Sequence, residues 1–124
     1  MKEYKDTAAF LNTLCSKIRL ANEKWWVDLE TGIPKERNVG EMLALVHSEV
    51  SEALEADRKG LMDDKLKHRN GLEVELADAV IRIFDMAGGL NLDLGGALVE
   101  KLAYNDKRLD HTKEGRLAAK GKKY

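Results

Sequence analysis

Apolar residues recur at three- and four-residue steps along most of the chain, and punctuation by Pro, Gly and capping residues divides the pattern into four helical stretches. Leu11, Leu14, Ile18, Ala21 and Trp25 mark the first, with Asp6 or Thr7 available to cap its start. The segment Glu30 to Pro34, which holds the chain's one proline, breaks that pattern. Asn38 followed by Glu41 has the form of a capping box, and Met42, Leu45, Val46, Val50, Ala53 and Leu54 continue as a second helix to Gly60. Asn70 and Glu73 repeat the capping signal before Leu72, Leu76, Ala79, Val80, Ile83 and Phe84, and Gly88-Gly89 closes this third helix. Asp93 can cap a fourth, carrying Leu94, Leu98, Leu102 and Leu109. No period-2 pattern argues for a strand. The expectation is an all-α fold, a four-helix bundle spanning residues 1–112, followed by a basic tail over residues 113–124.

Composition narrows the class. With 124 residues, 44% hydrophobic and 35% charged, the chain can bury one core under a solvated surface. A net charge of −1 argues against nucleic acid as the main partner. The single cysteine, Cys15, has no CxxC partner and reads as core filling in a reducing cytosol. No apolar run approaches the ~18 residues that span a bilayer, and no signal-peptide pattern precedes the first helix, so a cytoplasmic protein without a membrane partner is expected.

The carboxylates do not fit a plain bundle. At about 100° per residue, Met42, Leu45, Val46, Ala53 and Ala56 all fall within roughly 60° of Glu49 on the second helix. Glu49 therefore lies in the middle of an apolar stripe, and Glu52 at its edge. Glu75, Asp78, Arg82 and Asp85 share a face of the third helix at three- and four-residue spacing. If these helices pack antiparallel, Glu49 and Glu52 meet Glu75 and Asp78. Four clustered carboxylates repel one another unless a cation sits between them, and an oxygen-only ligand set favours Mg²⁺ or Mn²⁺ over zinc.

The run Glu49-Val50-Ser51-Glu52, a spacer, then Glu75-Leu76-Ala77-Asp78 resembles the ExxE…ExxD signature of MazG-like all-α nucleoside triphosphate pyrophosphohydrolases. Lys101-Leu102-Ala103-Tyr104-Asn105-Asp106-Lys107-Arg108 is similar to the Lys…Asn…Arg stretch that follows in that family. The likeness covers Asn38 to Arg108. It implies Mg²⁺-dependent hydrolysis of a (deoxy)nucleoside triphosphate to the monophosphate and pyrophosphate by a homodimer or homotetramer. On this reading Glu49, Glu52, Glu75 and Asp78 are the metal and catalytic residues, with Glu52 the candidate to activate water. Lys101, Asn105 and Arg108 recur on one helix face as a triphosphate clamp, with Tyr104 beside them.

Trp25 and Trp26 point about 100° apart on a helix. Trp25 continues the apolar stripe as a structural residue, which leaves Trp26 to stack on a base or seal an interface, with Asn22 or Asn12 reading the base edge. His47 lies behind Glu49 on the second helix and is not expected to bind metal; His68 and His111 are expected at the surface. The stretch Leu61 to Asn70 is either a lid or a solvated loop. Two alternatives stand beside the main reading. One is a dUTPase-like or phosphoribosyl-ATP pyrophosphohydrolase activity on the same scaffold. The other is a non-enzymatic helical interaction module whose acids are merely surface residues.

Overall fold

The computed structural model describes residues 4–108 and Leu117. Among these residues all regular structure is helical: α1 (Thr7–Ala21), a 3-10 turn (Glu23–Trp25), α2 (Val39–Lys59), α3 (Gly71–Gly89) and α4 (Leu94–Lys107). Strand-like pairing among the described residues is limited to two isolated bridges, Val27 with Pro34 and Met62 with Asn70. No helix among the described residues is long and apolar enough to cross a membrane. Leu109, His111 and the tail expected over 113–124 lie outside the described residues, Leu117 apart.

The helix ends follow from local chemistry. Asn38 Oδ1 accepts the Glu41 N–H at 2.9 Å and starts α2. Gly60 ends it in the left-handed conformation, φ 61°, which glycine adopts without a Cβ clash. A full capping box opens α3: Asn70 Oδ1 accepts the Leu72 N–H, and Glu73 Oε1 accepts the Asn70 N–H. Asp93 Oδ1 accepts the Gly96 N–H and starts α4.

The chain forms two compact units, whose boundary falls inside α1 between Thr13 and Leu14. The larger, Leu14–Leu92, is built on α2 and α3. Met42 near the start of α2 meets Met86 near the end of α3 in the core cluster, and Glu49 meets Arg82 farther along. The two helices therefore run antiparallel. Their connection is tied to itself: Asp63 Oδ2 accepts the N–H groups of Lys65 and Leu66, and Arg69 O accepts that of Asp63. Residues 61–70 are thus an exposed, internally bonded loop, except for half-buried Asp63, and none lines the cavity described below. Cys15 is buried, as expected of core filling.

In the smaller unit the first half of α1 packs on the start of α4. Asn12 binds both ways there, donating Nδ2–H to Asp93 Oδ1 at 2.7 Å and accepting the Gly95 N–H at 2.8 Å. Asn12 thus ties the first half of α1 to the start of α4.

Two features are not given by regular helical periodicity, and the first corrects a sequence expectation. First, α1 stops at Ala21, because the Asn22 N–H is shared between the Ile18 and Arg19 carbonyls and the chain tightens into a 3-10 turn. A tighter turn advances each side chain about 120° rather than 100°, so the stripe extrapolated from α1 selects the wrong tryptophan. Trp26 is the core residue at 7% exposure, and Trp25 is 56% exposed. Trp26 lies against Gly89, where any Cβ would collide with the indole. Second, Val50 and Leu54 of α2, with Leu76, Val80 and Ile83 of α3, are exposed. The apolar positions of both helices cover more than one face, and the face bearing Glu49 is the one α2 turns inward.

Candidate metal centre

Glu49 is 8% exposed, the one buried charged residue among those described. The antiparallel packing of α2 on α3 sets it against Glu75 while Glu52 follows one turn later. One carboxylate oxygen from each of Glu49, Glu52 and Glu75 lies within 4.8 Å of the other two. These three could hold a metal ion. Asp78 is half-buried one turn after Glu75 but falls outside that close set, and it lines the adjacent cavity together with Glu49.

Repulsion within the cluster shows in its proton affinities. Burial and the neighbouring Glu49 and Glu52 carboxylates push Glu75 up to about 7. Burial, then the Glu49 charge, also raises Asp78, with Arg82 pulling the other way. Glu49 is held below its ordinary value: burial acts upward, but the Arg82 guanidinium and hydrogen-bond sharing with Glu52 and Glu75 outweigh it. The Arg82 bond is direct, Nε–H to Glu49 Oε1 at 2.8 Å.

A test of whether these residues suit a cation comes from Glu75 itself. Its Oε2 is buried and has no hydrogen-bond partner. A buried carboxylate oxygen without a donor is costly, and either a proton or a metal relieves it. The donor set around it is all oxygen, so the residues fit a hard divalent ion.

A cavity of about 740 Å³ adjoins the cluster, and Glu49, Asp78 and Arg82 are among its lining residues. The rest of its wall includes Asn22, Trp25, Lys35, Arg37, Asn38 and Asp85. Arg37 is fixed there by two contacts, an Nη1–H bond to the Trp25 carbonyl at 3.2 Å and stacking 4.6 Å from the Trp26 ring centroid. Trp26 in turn donates its Nε1–H to Asp85 Oδ1 at 2.9 Å. Lys35 Nζ donates to the Lys24 carbonyl at 2.9 Å.

The predicted site residues are thus placed unevenly. Glu49, Glu52 and Glu75 come together, Asp78 stands beside them, and Asn22 lines the cavity. Trp26 is behind the wall, in the core, and Trp25 takes the cavity position expected of it. His47 is exposed on α2. Lys101, Tyr104, Asn105 and Arg108 belong to the smaller unit. There Lys101 and Arg108 lie over the Tyr104 ring, 4.7 and 5.9 Å from its centroid, and Asn105 Oδ1 is buried without a hydrogen-bond partner. Sequence reasoning gave no role to Arg82, Arg37, Lys35 or Asp85. For Arg82 the signal was present, since it follows Asp78 by one turn on the carboxylate face. Arg37 and Lys35 lie in the irregular segment after Trp26, where periodicity says nothing.

No protein-family model matches the chain, and neither the curated proteins nor the solved structures yield a match.

Proposed function

We propose that this chain is a MazG-like, metal-dependent nucleoside triphosphate pyrophosphohydrolase, with the α2–α3 hairpin as its metal site. The observation that carries the reading is the convergence of Glu49, Glu52 and Glu75 within 4.8 Å, with a partnerless buried oxygen on Glu75, beside a cavity of about 740 Å³ that Glu49 lines. The chemistry supplied by a bound Mg²⁺ or Mn²⁺ is neutralisation of charge on the phosphate oxygens and on the pyrophosphate leaving group.

The chain's own residues account for the remaining needs. Glu49, Glu52 and Glu75 would hold the ion, with Asp78 beside them as the fourth carboxylate. Glu52 is the exposed member, placed to orient the attacking water and take its proton as oxygen adds to the α-phosphorus. The bond from that phosphorus to the oxygen bridging to the β-phosphorus then breaks, and pyrophosphate leaves with the electron pair. Trp25 offers a face for a base, with Asn22 nearby. Lys101, Asn105 and Arg108 as a triphosphate clamp, with Tyr104 beside them as a substrate contact, rest on the resemblance alone.

Self-association belongs to the same proposal. Val50, Leu54, Leu76, Val80 and Ile83 are between 38% and 53% exposed, an apolar surface on the hairpin that a second copy in a cytosolic homodimer or homotetramer would cover. The test of function is a panel of NTPs and dNTPs, dUTP included, with Mg²⁺, Mn²⁺ or EDTA and chromatographic separation of products. Monophosphate plus pyrophosphate, lost with EDTA and in Glu49→Gln, supports the proposal. Failure to turn over any nucleotide, with no metal-dependent rise in melting temperature, returns the chain to the helical interaction module.

A further inference from the structure

Arg82 stands between the carboxylate cluster and the cavity, and the metal-site reading does not use it. Its Nε–H holds Glu49 Oε1 at 2.8 Å. The two partners differ in freedom: the Arg82 side chain is 41% exposed and the Glu49 side chain 11%. Arg82 lines the main cavity, and with Arg37 and Asp85 it also lines a narrower recess in the same wall. The fixed member of the pair is the glutamate, and the arginine is the one with room to move.

A guanidinium does not lose its proton at any ordinary pH, so it cannot give way to a second cation by becoming neutral. Two cations on one carboxylate repel, and the arginine must then leave or weaken the binding of the other. The groups around Arg82 set where it can go. Asp78 and Asp85 flank it on α3, Glu49 faces it from α2, and Arg37 approaches from the segment before α2. A second cation, Arg37, disfavours a move toward the recess unless an anion lies between them. Phosphate oxygens in the cavity are such an anion, and they suit a guanidinium fork.

We propose that Arg82 is an exchangeable counter-cation: it neutralises Glu49 in the metal-free protein and passes to a phosphate oxygen of the substrate when Glu49 turns to a divalent ion. This rests on the metal-site reading above. It gives the site an order of assembly, because metal binding frees the group that then holds the substrate's phosphate.

The proposal predicts effects of opposite sign from one substitution. Calorimetric titration of the full chain with Mn²⁺ alone, without nucleotide, should show Arg82→Met binding about tenfold tighter than the wild type, since a competing charge is removed. Titration of the Mn²⁺-loaded protein with inorganic pyrophosphate should show the same variant binding about tenfold weaker, the usual scale for a lost charged phosphate contact. Arg82→Lys should stay near the wild type in both. Should Arg82→Met not fold, Arg82→Gln keeps a donor for Glu49 without the charge and answers the same question. Unchanged or weaker Mn²⁺ binding in the neutral variants, with a wild type that binds Mn²⁺, overturns the exchange and leaves the metal site standing. Unchanged pyrophosphate binding overturns it equally. A wild type that binds no Mn²⁺ removes both the exchange and the metal site beneath it.

Discussion

Glu49 and Glu75 face one another across α2 and α3 with carboxylate oxygens within 4.8 Å, and their proton affinities are driven in opposite directions. Arg82 supports the charge on Glu49, while Glu75 has negative neighbours and no donor for its buried Oε2. Glu75 therefore takes up a proton far more readily than Glu49 does, unless a metal replaces that proton.

Stability should follow that proton. Glu75 has a folded-state value of about 7 against an ordinary 4.5, so the folded state binds its proton more tightly than the unfolded chain does. The resulting stabilisation is fully present below about 4.5 and is lost as pH rises through about 7. In metal-free protein, Glu75→Gln should remove this fall and be the more stable form at pH 8, by about 1–2 kcal/mol after allowance for solvent screening. Thermal melts of both proteins in EDTA between pH 5 and 8 check it. A wild-type curve as flat as that of the variant contradicts the strained carboxylate.

Metal should reverse the same strain. At Mg²⁺ or Mn²⁺ concentrations a hundredfold above the dissociation constant, the folded state gains about 2.7 kcal/mol, and the melting temperature rises accordingly. Competition with the Glu75 proton makes the rise smaller at pH 6 than at pH 8. Glu49→Gln should abolish it. A rise of equal size at both pH values points to ions bound at other carboxylates.

The tryptophans should separate stability from binding. Trp26→Ala empties a core position against Met42, Met86 and Gly89 and strands Asp85, at a cost of about 3–5 kcal/mol. Trp25→Ala removes an exposed ring and should change stability by no more than about 0.5 kcal/mol while raising KM for nucleotide. Denaturant melts and steady-state kinetics on the two variants distinguish these roles, and equal destabilisation by both would reject the assignment.

Much of the scaffold was legible in the sequence because short-range chemistry sets it. Asn38, Gly60, Asn70 and Asp93 each act within a few residues of their own position, and each caps the helix end at which it was placed. Glu49 was legible as an anomaly, since helical periodicity alone puts it on an apolar stripe. What periodicity could not supply was a change of period. The 3-10 turn after Ala21 shifts the phase and exchanges the roles of Trp25 and Trp26. Nor does it say which of two apolar faces a helix buries, and Val50, Leu54 and Val80 stand exposed. Arg37 and Lys35 depend on the path of an irregular segment, and only three-dimensional structure brings them to the cavity.

Loss of a cap should be measurable without touching the site. Asn70→Ala removes the Oδ1 acceptor that opens α3 and should cost about 1 kcal/mol in a denaturant melt, with Mn²⁺ affinity unchanged. A large loss of metal affinity in this variant would mean that the start of α3 is coupled to Glu75 more tightly than its capping geometry implies.

The central claim is that water attacks the α-phosphorus under the control of this carboxylate cluster. Turnover of the preferred nucleoside triphosphate in ¹⁸O-labelled water with Mg²⁺, followed by mass spectrometry of the products, tests it most directly. The account predicts one ¹⁸O in the nucleoside monophosphate, none in the pyrophosphate, and no turnover by Glu49→Gln or Glu75→Gln. Label in the pyrophosphate, release of inorganic phosphate instead, or full activity in both variants would contradict it.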